Sequence, residues 1–145
     1  MMHLTARTEY AALAAVELAR QAADNGPVGL RAICEAQAVP ARFLVQILLE
    51  LKRAGIVASV RGAAGGYRLA RPAESITLQD IRIAVEGPAE TPAAAATKPT
   101  PRSREATILR DVWQAAARAE EEFLAGITLA DIAARSRDSE AMYYI

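Results

Sequence analysis

Residues 30–69 constrain this chain most, because three local patterns follow one another there without slack. Leu30–Gln37 carries Leu30, Ile33 and Cys34 at helical spacing, which predicts a short helix with one apolar side. Ala38–Val39–Pro40 then breaks it, since the residue before a proline is pushed out of the helical region. A second helix is expected over Ala41–Ala54, with Phe43, Leu44, Ile47, Leu48 and Leu51 as its inward stripe. Gly55 stands where a left-handed residue ends a helix. Ile56–Val60 and Gly66–Leu69 have strand character and flank Arg61-Gly62-Ala63-Ala64-Gly65, which reads as a β-hairpin with a basic, glycine-rich tip. Two helices at a tight break followed by such a hairpin form a winged helix-turn-helix. The expected fold class is therefore mainly α, with a small β-hairpin wing and a long C-terminal helix.

The remainder fits around that unit. Alanine, the best helix former, fills 34 of the 145 positions. Thr5 is a plausible N-cap for a first helix with Ala6, Tyr10, Leu13, Ala14 and Leu18 on one face, ended by Asp24–Asn25–Gly26–Pro27. Thr77 with Asp80 resembles a capping box ahead of a short helix, Leu78–Glu86. Residues 87–102 hold four prolines and no apolar stripe, so they read as a linker. The longest helix is expected over Ser103–Ala125, with Ile108, Val112, Trp113, Ala116, Phe123 and Leu124 as apolar candidates. Ile76-Thr77-Leu78-Gln79-Asp80-Ile81 recurs as Ile127-Thr128-Leu129-Ala130-Asp131-Ile132. The shared residues are those that cap and anchor a helix, so the echo reads as two efficient helix starts rather than a duplicated binding element. The expected division is 1–86 for the winged helix-turn-helix domain, 87–102 for the linker and 103–145 for the long helix and a C-terminal short helix.

The balanced total of 17 basic and 17 acidic residues hides a local excess. Arg31 to Arg71 contains seven Lys/Arg against only Glu35 and Glu50, and the local sign decides what a surface attracts. The second helix of the pair fits the major groove of B-DNA, where base edges carry a readable code. Arg42 and Gln46, four apart, project together; arginine favours guanine and glutamine adenine, while Val45 can pack on a thymine methyl. Arg61, flanked by glycine, suits a narrow minor groove. The expected DNA-facing set is Arg31, Pro40, Ala41, Arg42, Val45 and Gln46 from the helix pair, and Arg61, Gly62, Gly65 and Tyr67 from the wing.

Leu4-Thr5, Glu9-Tyr10-Ala11, the run from Arg31 to Pro72, "ITLQDIRIAVEG" at 76–87 and "ITLADIAAR" at 127–135 together resemble the Rrf-type bacterial regulators, which include IscR-, NsrR- and CymR-like proteins. The resemblance spans nearly the whole chain except 88–102, and the wing signature R-G-x-x-G-G-Y-x-L-A is its most specific part. It implies a homodimeric, cytoplasmic transcriptional regulator, usually a repressor, reading a palindromic operator on double-stranded DNA. The seam implied is Ile108, Val112, Trp113, Ala116 and Phe123 on long helices crossing at the two-fold axis. By position, Gln46 and Arg61 match family residues that touch DNA, whereas Val45 stands where the cluster regulator has a glutamate.

Cluster-binding members of that family use three cysteines in the region matching 88–110. This sequence has one cysteine in all, Cys34, and one histidine, His3. Glu9 matches an acidic fourth ligand of some relatives, but a carboxylate without thiolates does not hold an iron–sulfur cluster. No cofactor, metal site or catalytic constellation is expected, and no enzyme. Cys34 reads as a core thiol, with a redox-switch thiol as the alternative, His3 as a solvated tail residue, and Glu120–Glu122 as a solvated face. Trp113 and Phe123 read as seam packing, with a ligand pocket between the first helix and the dimer helix as the alternative. The sensor is then a small-molecule effector or a partner protein. A rival class is a winged-helix module that works through a partner protein, with DNA binding secondary. The longest aliphatic run, Ala11 to Val16, is too short to cross a membrane.

Overall fold

The computed structural model describes residues 4–22, 26–87 and 103–143. The expected linker from 88 onward, His3 and part of the Asp24–Pro27 turn lie outside them. Six helices and one two-stranded hairpin are described: α1 (Ala6–Gln21), α2 (Leu30–Gln37), α3 (Ala41–Arg53), β1 (Val57–Val60), β2 (Gly66–Leu69), α4 (Leu78–Glu86), α5 (Arg104–Ala125) and α6 (Leu129–Tyr143). No single described helix is long and apolar enough to cross a membrane.

α1 is the central post, touching α2, α3, α4 and α6. Thr5 caps it by accepting from the Thr8 amide at 3.1 Å. The face it buries differs from the expected one. Ala11, Ala14, Ala15, Leu18 and Ala19 are buried, whereas Ala6 is exposed and Tyr10 and Leu13 are half-buried. A helix packed on several sides needs small side chains where neighbours approach closely, so the alanines take the interior. Glu17 also lies inside, 3% exposed, with its carboxylate accepting from Gln37 Nε2 at 2.7 Å and Gln21 Nε2 at 3.0 Å. Those amides satisfy the buried oxygens and tie α1 to the end of α2.

α2 and α3 meet at 114° across Ala38–Pro40, the geometry of a helix-turn-helix. Ala38 makes the turn in a left-handed conformation (φ 53°), and its amide closes on the Cys34 carbonyl. Leu44, Ile47, Leu48 and Leu51 drive α3 into the core, each fully buried and contributing about 1.5–3 kcal/mol by leaving water. Phe43 departs from this stripe and stays partly in solvent. Gly55 takes the left-handed position expected (φ 76°), so Ile56 and Val57 turn inward and start the hairpin.

The repeated hexapeptides do more than begin two helices. Thr77/Asp80 and Thr128/Asp131 each form a reciprocal capping box. The two segments also pair with each other: the Leu78 amide donates to Ile127 at 2.9 Å and the Leu129 amide to Ile76 at 2.9 Å, around an antiparallel bridge of Thr77 with Thr128. Ile76 and Leu129 are fully buried on either side. The last helix, grouped with the dimer helix in the expected division, therefore shares the core of the first 86 residues: Leu129 and Ala133 belong to the same buried cluster as α1 and α3.

Candidate nucleic-acid interface

With four side chains of α3 pulled inward, the opposite side of the helix is left to solvent. Pro40, Ala41, Arg42, Val45 and Gln46 are all exposed there, as the periodicity requires. Arg42 and Gln46 are one turn apart and share this face. α3 starts at Pro40 with no capping side chain, so its first amides and its positive dipole end are open to an anion.

β1 and β2 pair antiparallel from Val57 with Leu69 to Val60 with Gly66. The tip between them is exposed at Arg61 and Gly62. Gly62 is left-handed (φ 109°), and the Gly65 amide donates to its carbonyl at 3.0 Å. A Cβ on Gly65 would stand 2.2 Å from the Val60 carbonyl oxygen, so the turn closes only around a residue with no side chain. The wing is docked as well as closed. Val28, just ahead of α2, exchanges two backbone hydrogen bonds of 2.8 Å with Tyr67, and a Cβ on Gly66 would meet the Val28 oxygen at 2.4 Å. The expected DNA-facing Tyr67 makes these bonds through its backbone, while its side chain is half-buried and packed against the core.

The charges divide in an informative way. Both acids of the basic stretch are occupied: Glu50 by Arg7 of α1, and Glu35 by Arg31 at 3.4 Å. Arg31 itself keeps its side chain 92% exposed. Arg71 pairs with Asp80, and Lys52 donates to Ser59 at 2.9 Å. Arg42, Arg53, Arg61 and Arg68 are exposed with no acidic partner among the described residues. Arg53 and Arg68 were not singled out in the sequence. Their signal was only membership in the basic stretch, and which guanidiniums stay unpaired depends on where α1 and α4 place their acids.

The expected seam residues are all on the surface of the single chain. α5 contains no buried residue over its whole length. Ile108, Leu109, Val112 and Trp113 form an exposed apolar stripe, Trp113 at 63%, continued by Ala116 and by Phe123 at 69%. Neither Trp113 nor Phe123 is among the residues that line the apolar cavity between α1 and α4. The apolar cavity between α1 and α4, about 330 Å³, is lined by Leu13, Val16, Leu78, Ile81, Leu124 and Ile132 among others. At its edge the Thr8 hydroxyl donates to Glu86 at 2.8 Å, Arg82 pairs with Glu86, and Arg82 reaches Glu120 of α5.

Cys34 is half-buried on α2, and among the described residues no group of three or more His, Cys, Asp or Glu is placed to hold an ion. One thiol and one imidazole per chain do not make the ligand set of an iron–sulfur cluster.

Residues 4–135 match the family model described as Rrf2, iron-dependent transcriptional regulator. A putative HTH-type transcriptional regulator of Mycobacterium tuberculosis is 38% identical over 132 residues, covering 91% of this chain and 81% of the relative. One from Azotobacter vinelandii is 36% identical over 135 residues, covering 93% and 81%. Among solved structures, T. potens IscR superposes with a TM-score of 0.78 at 31% identity, covering 99% of this chain and 97% of that one. CymR, the global cysteine regulator of B. subtilis, superposes with a TM-score of 0.78 at 30% identity, covering 93% and 98%.

Proposed function

The chain belongs to the Rrf2 family of transcriptional regulators, a DNA-binding winged-helix protein and not an enzyme, and from that premise we propose that it acts as a homodimer on a palindromic operator, as a repressor, without an iron–sulfur cluster. The observation that carries the DNA contact is the outward side of α3 with the docked wing: Arg42, Val45 and Gln46 exposed on the helix, Arg61 exposed at the wing tip, and the acids of the basic stretch already paired. α3 lies in the major groove, where Arg42 and Gln46 read base edges and Val45 packs on a thymine methyl. Arg31, Pro40, Ala41, Arg53 and Arg68 face phosphates, and Arg61, held by Gly62 and Gly65, enters the neighbouring minor groove. The stripe of Ile108, Val112, Trp113, Ala116 and Phe123 closes the two-fold seam, since an exposed apolar row of this extent marks an association surface. Two recognition helices then address half-sites about 34 Å apart, one helical turn of DNA.

For the iron named in the family's description no group of three metal ligands comes together among the described residues, and the single cysteine does not cage a cluster, so this reading places the regulatory signal elsewhere. The cavity between α1 and α4 suits a small apolar effector, because the Arg82 link from Glu86 to Glu120 joins it to α5. Iron analysis and the visible spectrum of protein purified without oxygen test this part, with a colourless, iron-free sample expected.

Fluorescence anisotropy with the duplex upstream of the protein's own gene, titrated at rising salt, tests the DNA contact. Arg61→Ala should weaken every sequence alike and flatten the log–log salt slope by about 1, whereas Gln46→Ala should change base preference with the slope kept. Equal behaviour of the two variants on all sequences would reverse these roles.

A further inference from the structure

The first turn of α3 contains a contact that its periodicity conceals. Phe43 follows the spacing of the buried stripe, yet it is 36% exposed. Its ring lies 5.8 Å from that of Tyr10, tilted by 36°. The Arg42 guanidinium carbon stands 4.8 Å from the Phe43 centroid, over the ring. Tyr10 is half-buried and packed against the core, so α1 backs the aromatic pair from behind. Arg42 has no ion pair among the described residues.

Successive side chains on a helix diverge, so a stack between neighbours means that the long arginine folds back onto the ring. A guanidinium lying over an aromatic ring keeps its in-plane N–H groups free. That fork is what bidentate recognition of guanine requires. Holding it before DNA arrives removes part of the ordering cost of binding. An aromatic ring left partly in water is then explained by the cation it carries.

We propose that Phe43, backed by Tyr10, is a positioning residue that presents Arg42 as a specificity determinant for one guanine of each half-site. This rests on the placement of α3 in the major groove proposed above. An exposed cation–π contact corresponds to about a two- to fivefold change in binding. Loss of a whole bidentate guanine contact corresponds to about 5- to 150-fold.

The test is selection from a random-sequence duplex library with the full chain as wild type, Arg42→Ala, Phe43→Leu and Phe43→Tyr, each checked for helix content and thermal midpoint. Wild type should enrich a palindrome containing guanine, and Arg42→Ala should erase preference at one position per half-site. Phe43→Leu should weaken preference at that same position by about two- to fivefold and spare the others, while Phe43→Tyr keeps it. The proposal is overturned if Phe43→Leu spares that position or weakens all positions alike, or if Arg42→Ala leaves every position intact. A wild-type motif that responds to Gln46→Ala but not to Arg42→Ala overturns this proposal and leaves the placement of α3 in the major groove standing. No motif at all removes the sequence-reading proposal itself. Should Phe43→Leu fail to fold, Tyr10→Leu withdraws the backing from α1 and gives the same readout.

Discussion

Gly66→Ala separates the packing of the wing from its role on DNA. The added Cβ would lie 2.4 Å from the Val28 carbonyl oxygen and 2.6 Å from its carbon, where ordinary contact begins at 3.4 Å. Relief needs a movement of about 1 Å between β2 and the segment ahead of α2. That movement stretches the two 2.8 Å hydrogen bonds between Val28 and Tyr67 past useful length. Their net worth is about 0.5–1.5 kcal/mol each, so the variant should lose roughly 1–3 kcal/mol. For a chain of this size the thermal midpoint should fall by about 3–12 °C. α3 keeps its core, so circular dichroism at 25 °C should show little loss of helix. The wing, however, is no longer docked on Val28, so Arg61 at its tip loses its fixed position and affinity for DNA should fall at least as far as in Arg61→Ala. Gly29→Ala is the matched control, because nothing lies within 4 Å of its added Cβ. Scanning calorimetry and anisotropy on the same preparations give both numbers. An unchanged midpoint would falsify the packing argument. A lowered midpoint with full affinity would mean that the wing does not touch DNA.

Trp113→Glu places a charge on an exposed stripe that the single chain does not bury, so folding should survive while light scattering shows monomer and DNA affinity collapses; a persistent dimer refutes the seam. The Asp131 carboxylate is held below its ordinary value by the Thr128 backbone amide, which donates to it at 2.9 Å, and further by the Thr128 hydroxyl. Because the folded value is the depressed one, its stabilisation is complete above about pH 4 and is lost as the pH falls through that folded value. Thermal midpoints of wild type and Asp131→Asn should therefore differ at pH 7 and converge in acid, and a constant gap would count against the capping carboxylate. Glu17→Ala leaves the Gln37 amide without its buried acceptor and should cost about 1–3 kcal/mol in urea unfolding, loosening α2 against α1; no loss would show that the amides find other partners.

Much of the fold was legible because its signals are local. The helix bounds, the left-handed Gly55 and the Thr77–Asp80 box depend on residues within four positions of each other, and the hairpin pairs residues no further apart than Val57 and Leu69. The outward face of α3 was legible too, since four buried aliphatics at helical spacing leave only one side for Arg42, Val45 and Gln46. The wing's closure was readable at Gly62 and Gly65, whereas its docking on Val28 was not, because that contact spans nearly forty residues of chain.

The sequence by itself determined the elements, the sign of the charge along them and the lack of a thiolate ligand set, all matters of residue type and short spacing. Only the tertiary structure decided which arginines stay without an acidic partner among the described residues, that the two hexapeptides pair with each other, that the wing docks through the Tyr67 backbone, and that Phe43 leaves the core to carry Arg42. Periodicity states which side of a helix is apolar, but the neighbour that arrives there comes from a distant part of the chain. Where α1 brings Tyr10 and Arg7 against α3, that neighbour settles what each side chain can do.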